Sequence, residues 1–172
     1  MIEKYGDMFD EQADAICITT NGFVKKNGEN VMGKGCAKAA SLMFPELPKI
    51  LGGKIARYGN NVHELIKNDN TTILSFPVKP QYKIMESPND VVRHMRNKFK
   101  IGDSVPGWAC VADIEIISNS AHQLLNLTNE RGWSKVVLPR PGCGAGELEW
   151  ESVKAVLDDI LDERFLTLHN TF

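Results

Sequence analysis

Short apolar runs alternate with amphipathic stretches along most of the chain. The runs are of strand length and contain several β-branched residues, so they predict strands. They are Ala15–Thr20, Val62–Lys67, Thr71–Val78, Lys135–Leu138 and Phe165–Leu168. A polar turn at Asn68–Asn70 joins two of these strands and predicts a hairpin.

The amphipathic stretches predict helices, because their apolar residues recur at helical spacing. They are Cys36–Phe44, Asp113–Asn129 and Glu151–Leu161. In the first we expect Ala39, Ala40 and Met43 on one side and an end at Pro45. Gly132 is expected to end the second. Strands that alternate with helices predict an α/β protein with helices on both faces of its sheet, and the hairpin makes that sheet mixed.

One region does not fit this alternation. The stretch Pro80–Gly107 is polar and contains three prolines. It predicts an irregular excursion with one short helix at Asn89–Phe99. A length of 172 residues fits one domain, since domains typically have about 100–200 residues. No repeat or linker divides the chain, so we expect a single domain over residues 1–172.

The charge balance excludes some classes of partner. Twenty Lys and Arg residues against 22 Asp and Glu residues leave a net charge of −2. A nucleic-acid-binding domain usually carries a strong basic excess, so no nucleic-acid partner is expected. The chain also has no secretory leader and no apolar run near the roughly 18 residues of a membrane span, which predicts a cytoplasmic protein without a membrane partner.

The four cysteines give no sign of a metal site. They stand at positions 17, 36, 110 and 143, without the close pairs that bind zinc. We therefore expect reduced thiols, and neither a metal nor a cofactor.

Two glycine-rich loops carry the candidate chemistry. Asn21–Gly35 and Pro139–Leu148 each follow a predicted strand and precede a predicted helix. Glycine lets a backbone approach a ligand closely, and a helix N-terminus directs free N–H groups at an anion. One such loop is most simply a tight turn, but two of the same design at one sheet edge predict a clamp for a diphosphate.

Two common nucleotide motifs fit poorly. Gly28–Lys34 (GENVMGK) matches the spacing of a P-loop, but Gly35 stands where Ser or Thr should hold the magnesium ion. Gly142–Gly146 (GCGAG) lacks the dinucleotide-binding spacing. Too few residues follow it for a βαβ unit of about 30. A P-loop nucleotide binder remains a remote alternative.

Several motifs resemble those of the macro domain, an ADP-ribose-binding module with a three-layer α/β/α fold and a central mixed sheet. They are Gly6–Phe9 (GDMF), Asn21 with Met32–Ala37 (MGKGCA), Ser75–Lys79 (SFPVK), Ala112–Leu124 (ADIEIISNSAHQL) and Pro139–Trp150 (PRPGCGAGELEW). The resemblance covers nearly the whole chain. It is greatest to the branch with terminal ADP-ribose protein glycohydrolase and ADP-ribose-1″-phosphate phosphatase, whose relatives are common in bacteria and phages. Residues Met85–Cys110 form an insertion relative to that pattern.

The resemblance implies a set of binding residues. Asp7 would accept a hydrogen bond from the adenine amino group, and the end of the last strand would pack against the adenine. The first loop would surround the distal phosphate and terminal ribose, and the second loop would hold the diphosphate. The implied residues are Asp7, Met8, Thr19, Asn21, Gly33, Lys34, Gly35, Cys36, Ala37, Gly142, Cys143, Gly144, Ala145, Gly146, Glu147, Leu148, His169 and Asn170.

The resemblance also implies a hydrolytic activity. Lys79 matches a lysine that attacks the anomeric carbon of the terminal ribose, although it would equally serve as an electrostatic partner for the phosphates. The aspartate that accompanies that lysine falls on Gly146, and Glu147 is its nearest substitute. The expected substrates are ADP-ribose-1″-phosphate or an ADP-ribosyl ester on a small molecule or protein. The alternative is a non-catalytic reader or scavenger of ADP-ribose.

The loop cysteines raise a further question of chemistry. A thiol at a helix N-terminus, such as Cys36, can have a depressed pKa and act as a nucleophile. Cys36 and Cys143 are more simply explained as small residues in tight loops.

Overall fold

A mixed sheet forms the centre of the fold in the computed structural model, which describes residues 1–169. The strands, in chain order, are β1 (Ile2–Tyr5), β2 (Ala15–Thr20), β3 (His63–Asn68), β4 (Thr71–Pro77), β5 (Tyr82–Ile84), β6 (Ser104–Pro106), β7 (Val136–Leu138) and β8 (Phe165–His169). Six of them form the central sheet in the order β1-β8-β7-β2-β4-β3. All neighbours in it are parallel except β3 and β4, which form the expected hairpin. β5 and β6 pair separately as a small antiparallel sheet.

Helices cover both faces of the central sheet. They are α1 (Gly35–Met43), α2 (Leu47–Tyr58), α3 (Ile114–Arg131) and α4 (Trp150–Asp158). Strand β2 shows the layering, because Ile16 and Ile18 pack in the core formed with α1 and α2. Ala15 and Cys17 instead pack in the core formed with α3 and α4. Successive strand residues point to opposite faces, so a strand that is apolar throughout must be covered on both sides. The predicted three-layer α/β/α architecture is confirmed.

The predicted strands and the three long predicted helices are present, but two elements of the central fold were missed. β1 is an edge strand whose residues are all exposed, so it has no apolar run to reveal it. α2 contains Pro48, Gly52 and Gly53, which normally argue against a helix. Proline is tolerated in the first helical turn, where its missing N–H would be unpaired in any case.

Two details of the helix predictions are wrong. In α1 the buried residues are Cys36, Ala37 and Ala40, whereas Met43 is 51% exposed. The side of α1 that packs against the sheet is therefore the one with Cys36, Ala37 and Ala40, and not the one with Met43. The predicted helix at Asn89–Phe99 is replaced by two short 3-10 helices, Pro88–Asp90 and Arg93–Lys98.

The topology brings three loops to one edge of the sheet. β2, β4 and β7 are parallel neighbours, so the segments that follow them, 21–34, 78–81 and 139–149, emerge together at their carboxyl ends. Ligands of open α/β sheets bind at such an edge. No helix within residues 1–169 is long and apolar enough to cross a membrane.

Candidate ligand-binding site

Two asparagine side chains hold the first glycine loop in shape. The Asn21 Nδ2 donates to the Val31 carbonyl at 2.8 Å, and its Oδ1 accepts from the Phe23 N–H at 2.9 Å. The Asn30 Nδ2 donates to the carbonyl oxygens of Asn21 and Phe23. Asn21 is buried, so its predicted contact with a ligand has to coexist with a structural role inside the loop.

The end of this loop presents exposed backbone N–H groups. Helix α1 begins without a side-chain cap at Lys34. Gly35 has φ +58°, and a Cβ placed on it would meet nothing within 4 Å. Among the described residues, the N–H groups of Gly33, Lys34 and Gly35 have no protein acceptor. Free N–H groups at a helix N-terminus suit an anion.

The structure answers the question about the loop cysteines. The Cys36 Sγ accepts from the Thr19 N–H at 3.4 Å and lies 3.3 Å from the Thr19 Oγ1. Burial raises the pKa of the Cys36 thiol above its ordinary value. Burial also raises the pKa of Cys143 to about 11, and its Sγ donates to the Pro141 carbonyl. Neither is a thiolate near neutral pH, which favours the role of small packing residues.

The second glycine loop is packed too tightly for larger residues at two of its glycines. A Cβ on Gly142 would lie 2.9 Å from the Ala112 Cβ, and one on Gly146 would lie 2.6 Å from the same atom. The loop is closed by hydrogen bonds from the Leu148 N–H to Gly142 and from the Ala112 N–H to Gly146. This backbone therefore has no room for the aspartate that the resemblance places at Gly146.

The tip of the second loop is open by contrast. Gly144 and Ala145 are exposed. Within residues 1–169, the N–H groups of Gly144, Ala145 and Gly146 donate to no protein acceptor. Each glycine loop thus offers consecutive unpaired donors at this edge of the sheet, which is the geometry expected of a phosphate cradle.

Lys79 lies against the second loop and is nearly inaccessible, with 7% of its surface exposed. Its Nζ donates to the Ala145 carbonyl at 3.2 Å and to the Trp108 carbonyl at 3.3 Å. The pKa of Lys79 is lowered to about 8, mainly by burial and to a smaller extent by Lys34, whereas Cys110 and Glu147 act in the opposite direction. Desolvation disfavours the charged form of a lysine. A substantial fraction of this amine is therefore unprotonated near neutral pH.

Glu147 does not replace the missing aspartate in a simple way. Its backbone has φ +65°, which is uncommon for a residue other than glycine. Its carboxylate accepts the Arg93 N–H at 3.0 Å and lies 4.0 Å from the Arg93 Nε. The carboxylate is therefore held by the insertion rather than by Lys79.

The residues expected around the adenine that the structure describes lie after β1, at Asp7 and Met8, and at the end of β8, at His169. The Asp7 Oδ1 accepts the Phe9 N–H at 2.9 Å and caps a short 3-10 helix, and Met8 is buried in the core. His169 packs edge-on against Tyr5, with 5.6 Å between ring centroids. Tyr5 was missed together with β1, and Asn170 lies outside the described residues.

Other site contacts come from the segment Met85–Cys110, the expected insertion. His94 lies 3.1 Å from the Lys34 Nζ through its Nε2, and Arg93 and Trp108 contact Glu147 and Lys79 as described above. No sequence pattern predicts such contacts, because they join residues far apart in the chain. Among the described residues, no group of three or more His, Cys, Asp or Glu side chains is arranged to hold a metal ion.

A separate shallow groove of about 470 Å³ runs along α2. It is lined by Glu46, Lys49, Ile50, Gly53, Lys54, Arg57 and Tyr58. None of these residues belongs to a glycine loop, and we assign the groove no function.

Comparison with solved structures identifies the fold. No protein-family model matches the sequence, and no curated protein matches it. The macrodomain of Mycobacterium tuberculosis DarG is 19% identical with a TM-score of 0.68, and the alignment covers 99% of each chain. The macrodomain of Thermus aquaticus DarG is 18% identical with a TM-score of 0.69, covering 99% of this chain and 97% of that one. Thermosipho africanus DarTG in complex with ADP-ribose is 19% identical with a TM-score of 0.67, covering 96% of this chain and 40% of that one.

The chain therefore has the macrodomain fold, as its motifs indicate.

Proposed function

We propose that the protein binds ADP-ribose between its two glycine loops and hydrolyses an ADP-ribosyl derivative at the terminal ribose. The observation that carries the proposal is the position of Lys79, whose Nζ lies 3.2 Å from the carbonyl of Ala145 in the second loop. An amine with a lowered pKa thus stands beside the backbone donors that suit a diphosphate.

Binding is supported by the fold and by the loops together. A structural neighbour, Thermosipho africanus DarTG, was solved in complex with ADP-ribose. In this chain the free N–H groups of Gly33–Gly35 and of Gly144–Gly146 would hold the two phosphates from opposite sides. Asp7 and His169 would then contact the adenine at the other end of ADP-ribose. Backbone donors aimed at an anion need little reorganisation when it binds.

Hydrolysis is supported by the protonation of Lys79. With a pKa of about 8, on the order of one amine in ten is unprotonated at about pH 7. The amine would attack C1″ of the terminal ribose while the bond from C1″ to the carboxylate or phosphate oxygen breaks, and that oxygen leaves with the electron pair. Water would then attack C1″ while the bond from C1″ to the Lys79 nitrogen breaks; the nitrogen takes back the electron pair and one proton of the water, which releases ADP-ribose and regenerates the lysine.

A reader function is the second candidate, and one observation favours it. The position of the expected aspartate is Gly146, and the carboxylate of neighbouring Glu147 is bonded to Arg93. A protein without a carboxylate free to move a proton would bind ADP-ribose without turning over its derivatives.

A paired assay separates the two functions. We expect release of phosphate from ADP-ribose-1″-phosphate, or of ADP-ribose from an ADP-ribosylated glutamate peptide, by the native protein. Lys79→Ala should lose at least about a hundredfold in rate because it lacks the nucleophile. Lys67→Ala is the matched control, because Lys67 is an exposed lysine on β3.

The pH profile adds a second criterion. The value of kcat/KM should rise with pH, reach half of its maximum near pH 8 and level off about one pH unit higher, as the Lys79 amine loses its proton. If Lys79→Ala is as active as the native protein, the lysine mechanism is wrong. If the native protein binds ADP-ribose but turns over neither substrate, it is a reader.

A further inference from the structure

The insertion is a folded unit with its own small core. The core consists of Met85, Val91, Val105, Ala109 and Cys110. Strand β6 pairs with β5, and the Val92 N–H donates to the Ala109 carbonyl. A segment held by its own core and by hydrogen bonds between distant parts of the same chain keeps a defined position relative to the residues it contacts.

This unit contacts all three parts of the candidate site. His94 meets Lys34 of the first glycine loop, with 3.1 Å between side-chain nitrogens. Its neighbour Arg93 donates its N–H to Glu147 of the second loop at 3.0 Å. The Trp108 carbonyl accepts from the Lys79 Nζ at 3.3 Å. Two consecutive residues thus bridge the loops, while a third contacts the lysine.

The backbone of the insertion at Gly107 is in close contact with the residues that follow Lys79. The Gly107 N–H donates to the Gln81 carbonyl at 2.8 Å. A Cβ on Gly107 would lie 1.7 Å from the carbonyl oxygen of Pro80, the residue that follows Lys79. Backbone atoms cannot rotate away as a flexible side chain can, so any other residue here would move the insertion.

We propose that the insertion is a docked cover for Lys79, which excludes water from the amine and fixes it beside the second glycine loop. The inference rests on the role proposed for Lys79. It makes Arg93, Gly107 and Trp108 positioning residues for the reaction, although none of them lies in a glycine loop. The lowered pKa of Lys79 agrees with this arrangement, because desolvation is its largest cause. Water admitted to the amine would restore its ordinary affinity for a proton.

The experiment is an NMR pH titration of the ligand-free protein labelled with ¹³C-lysine. The Lys79 signal is assigned by its loss in Lys79→Arg. We expect this signal to titrate near pH 8 in the native protein. In Gly107→Ala its midpoint should rise by about one pH unit or more, toward the ordinary value for lysine. Gly53→Ala is the control, because a Cβ there meets nothing within 4 Å.

A second pair of variants tests the cover if Gly107→Ala does not fold. Glu147→Gln keeps an oxygen that accepts the Arg93 N–H, whereas Glu147→Ala loses it. Removing the carboxylate charge alone would lower the pKa of Lys79, since Glu147 raises it. Loosening the cover would instead raise the pKa of Lys79, because water would reach the amine. We therefore expect the Lys79 midpoint to be higher in Glu147→Ala than in Glu147→Gln, and the Arg93 amide to exchange faster with solvent.

Either of two results would overturn the inference. One is a folded Gly107→Ala in which Lys79 titrates as in the native protein. The other is a Lys79 midpoint in Glu147→Ala that is no higher than in Glu147→Gln. Because every titration is done without ligand, these outcomes do not depend on whether the protein binds or turns over an ADP-ribosyl compound.

Discussion

Lys79 joins the proposed chemistry to the stability of the protein. A lysine that is 7% exposed and bonded to two carbonyl oxygens is held in place, but its positive charge is poorly solvated. The folded state therefore binds this proton less tightly than the unfolded state does. Where the unfolded state binds more protons, the free energy of unfolding rises with pH.

This linkage gives a prediction for Lys79→Met, which keeps the bulk of the side chain and removes its charge. Below about pH 8 the native protein bears the full penalty of the buried ammonium group, and above it the penalty is relieved. Between about pH 8 and about pH 9.5 the unfolding free energy of the native protein should gain about 2 kcal/mol relative to Lys79→Met. Urea denaturation at both pH values measures the difference. A difference independent of pH would show that Lys79 titrates normally in the folded protein.

The glycines of the second loop show which site residues can be predicted from sequence. The motif PRPGCGAGELEW correctly marks a tight loop beside a helix. It does not show that Gly146 is fixed by contact with Ala112, because that contact depends on how α3 enters the fold. The same holds for the Glu147 carboxylate, whose partner Arg93 is 54 residues away in the chain.

At the scale of elements, α2 supports the first glycine loop through one glycine. A Cβ on Gly52 would lie 1.9 Å from the Gly28 carbonyl oxygen and 3.0 Å from the Asn30 nitrogen. Gly53 is the next residue along the helix, and nothing lies within 4 Å of a Cβ placed there. These neighbours form a matched pair for testing whether the loop is held by the helix.

We expect opposite effects from alanine at these two positions. Gly52→Ala should destabilise the protein by about 1–3 kcal/mol, since the loop backbone must move, and should weaken ADP-ribose binding. Gly53→Ala should stabilise it by about 0.5–1 kcal/mol, because alanine favours a helix more than glycine does. Chemical denaturation and calorimetry measure the two effects. Equal stabilisation by both would show that α2 and the loop are not in contact.

The elements that the sequence predicts follow from local pattern, whereas the elements that it does not predict depend on contacts with distant parts of the chain. The apolar face of α3 and its left-handed end at Gly132 follow from local pattern, and both predictions are confirmed. β1 depends on its pairing with β8, and α2 on contacts that outweigh its glycines and proline. The short helical turns within Met85–Cys110 pack on a small core whose residues come from both ends of that segment, and the local pattern does not reveal it.

At the scale of the whole molecule, a net charge of −2 is compatible with an anionic ligand. Within residues 1–169, the N–H groups of Gly33–Gly35 and Gly144–Gly146 have no protein acceptor, and both groups lie in loops that follow neighbouring parallel strands. Such donors attract phosphate locally without a general basic excess. The total charge therefore does not argue against the proposed diphosphate ligand.

Titration calorimetry with ADP-ribose, and with ATP as the comparison, tests directly whether the protein binds ADP-ribose. We expect saturable binding of ADP-ribose with a dissociation constant in the micromolar range and much weaker binding of ATP. In the proposed site the first loop would contact the terminal ribose, for which a third phosphate is a poor substitute. Tight binding of ATP together with no heat from ADP-ribose would contradict this expectation.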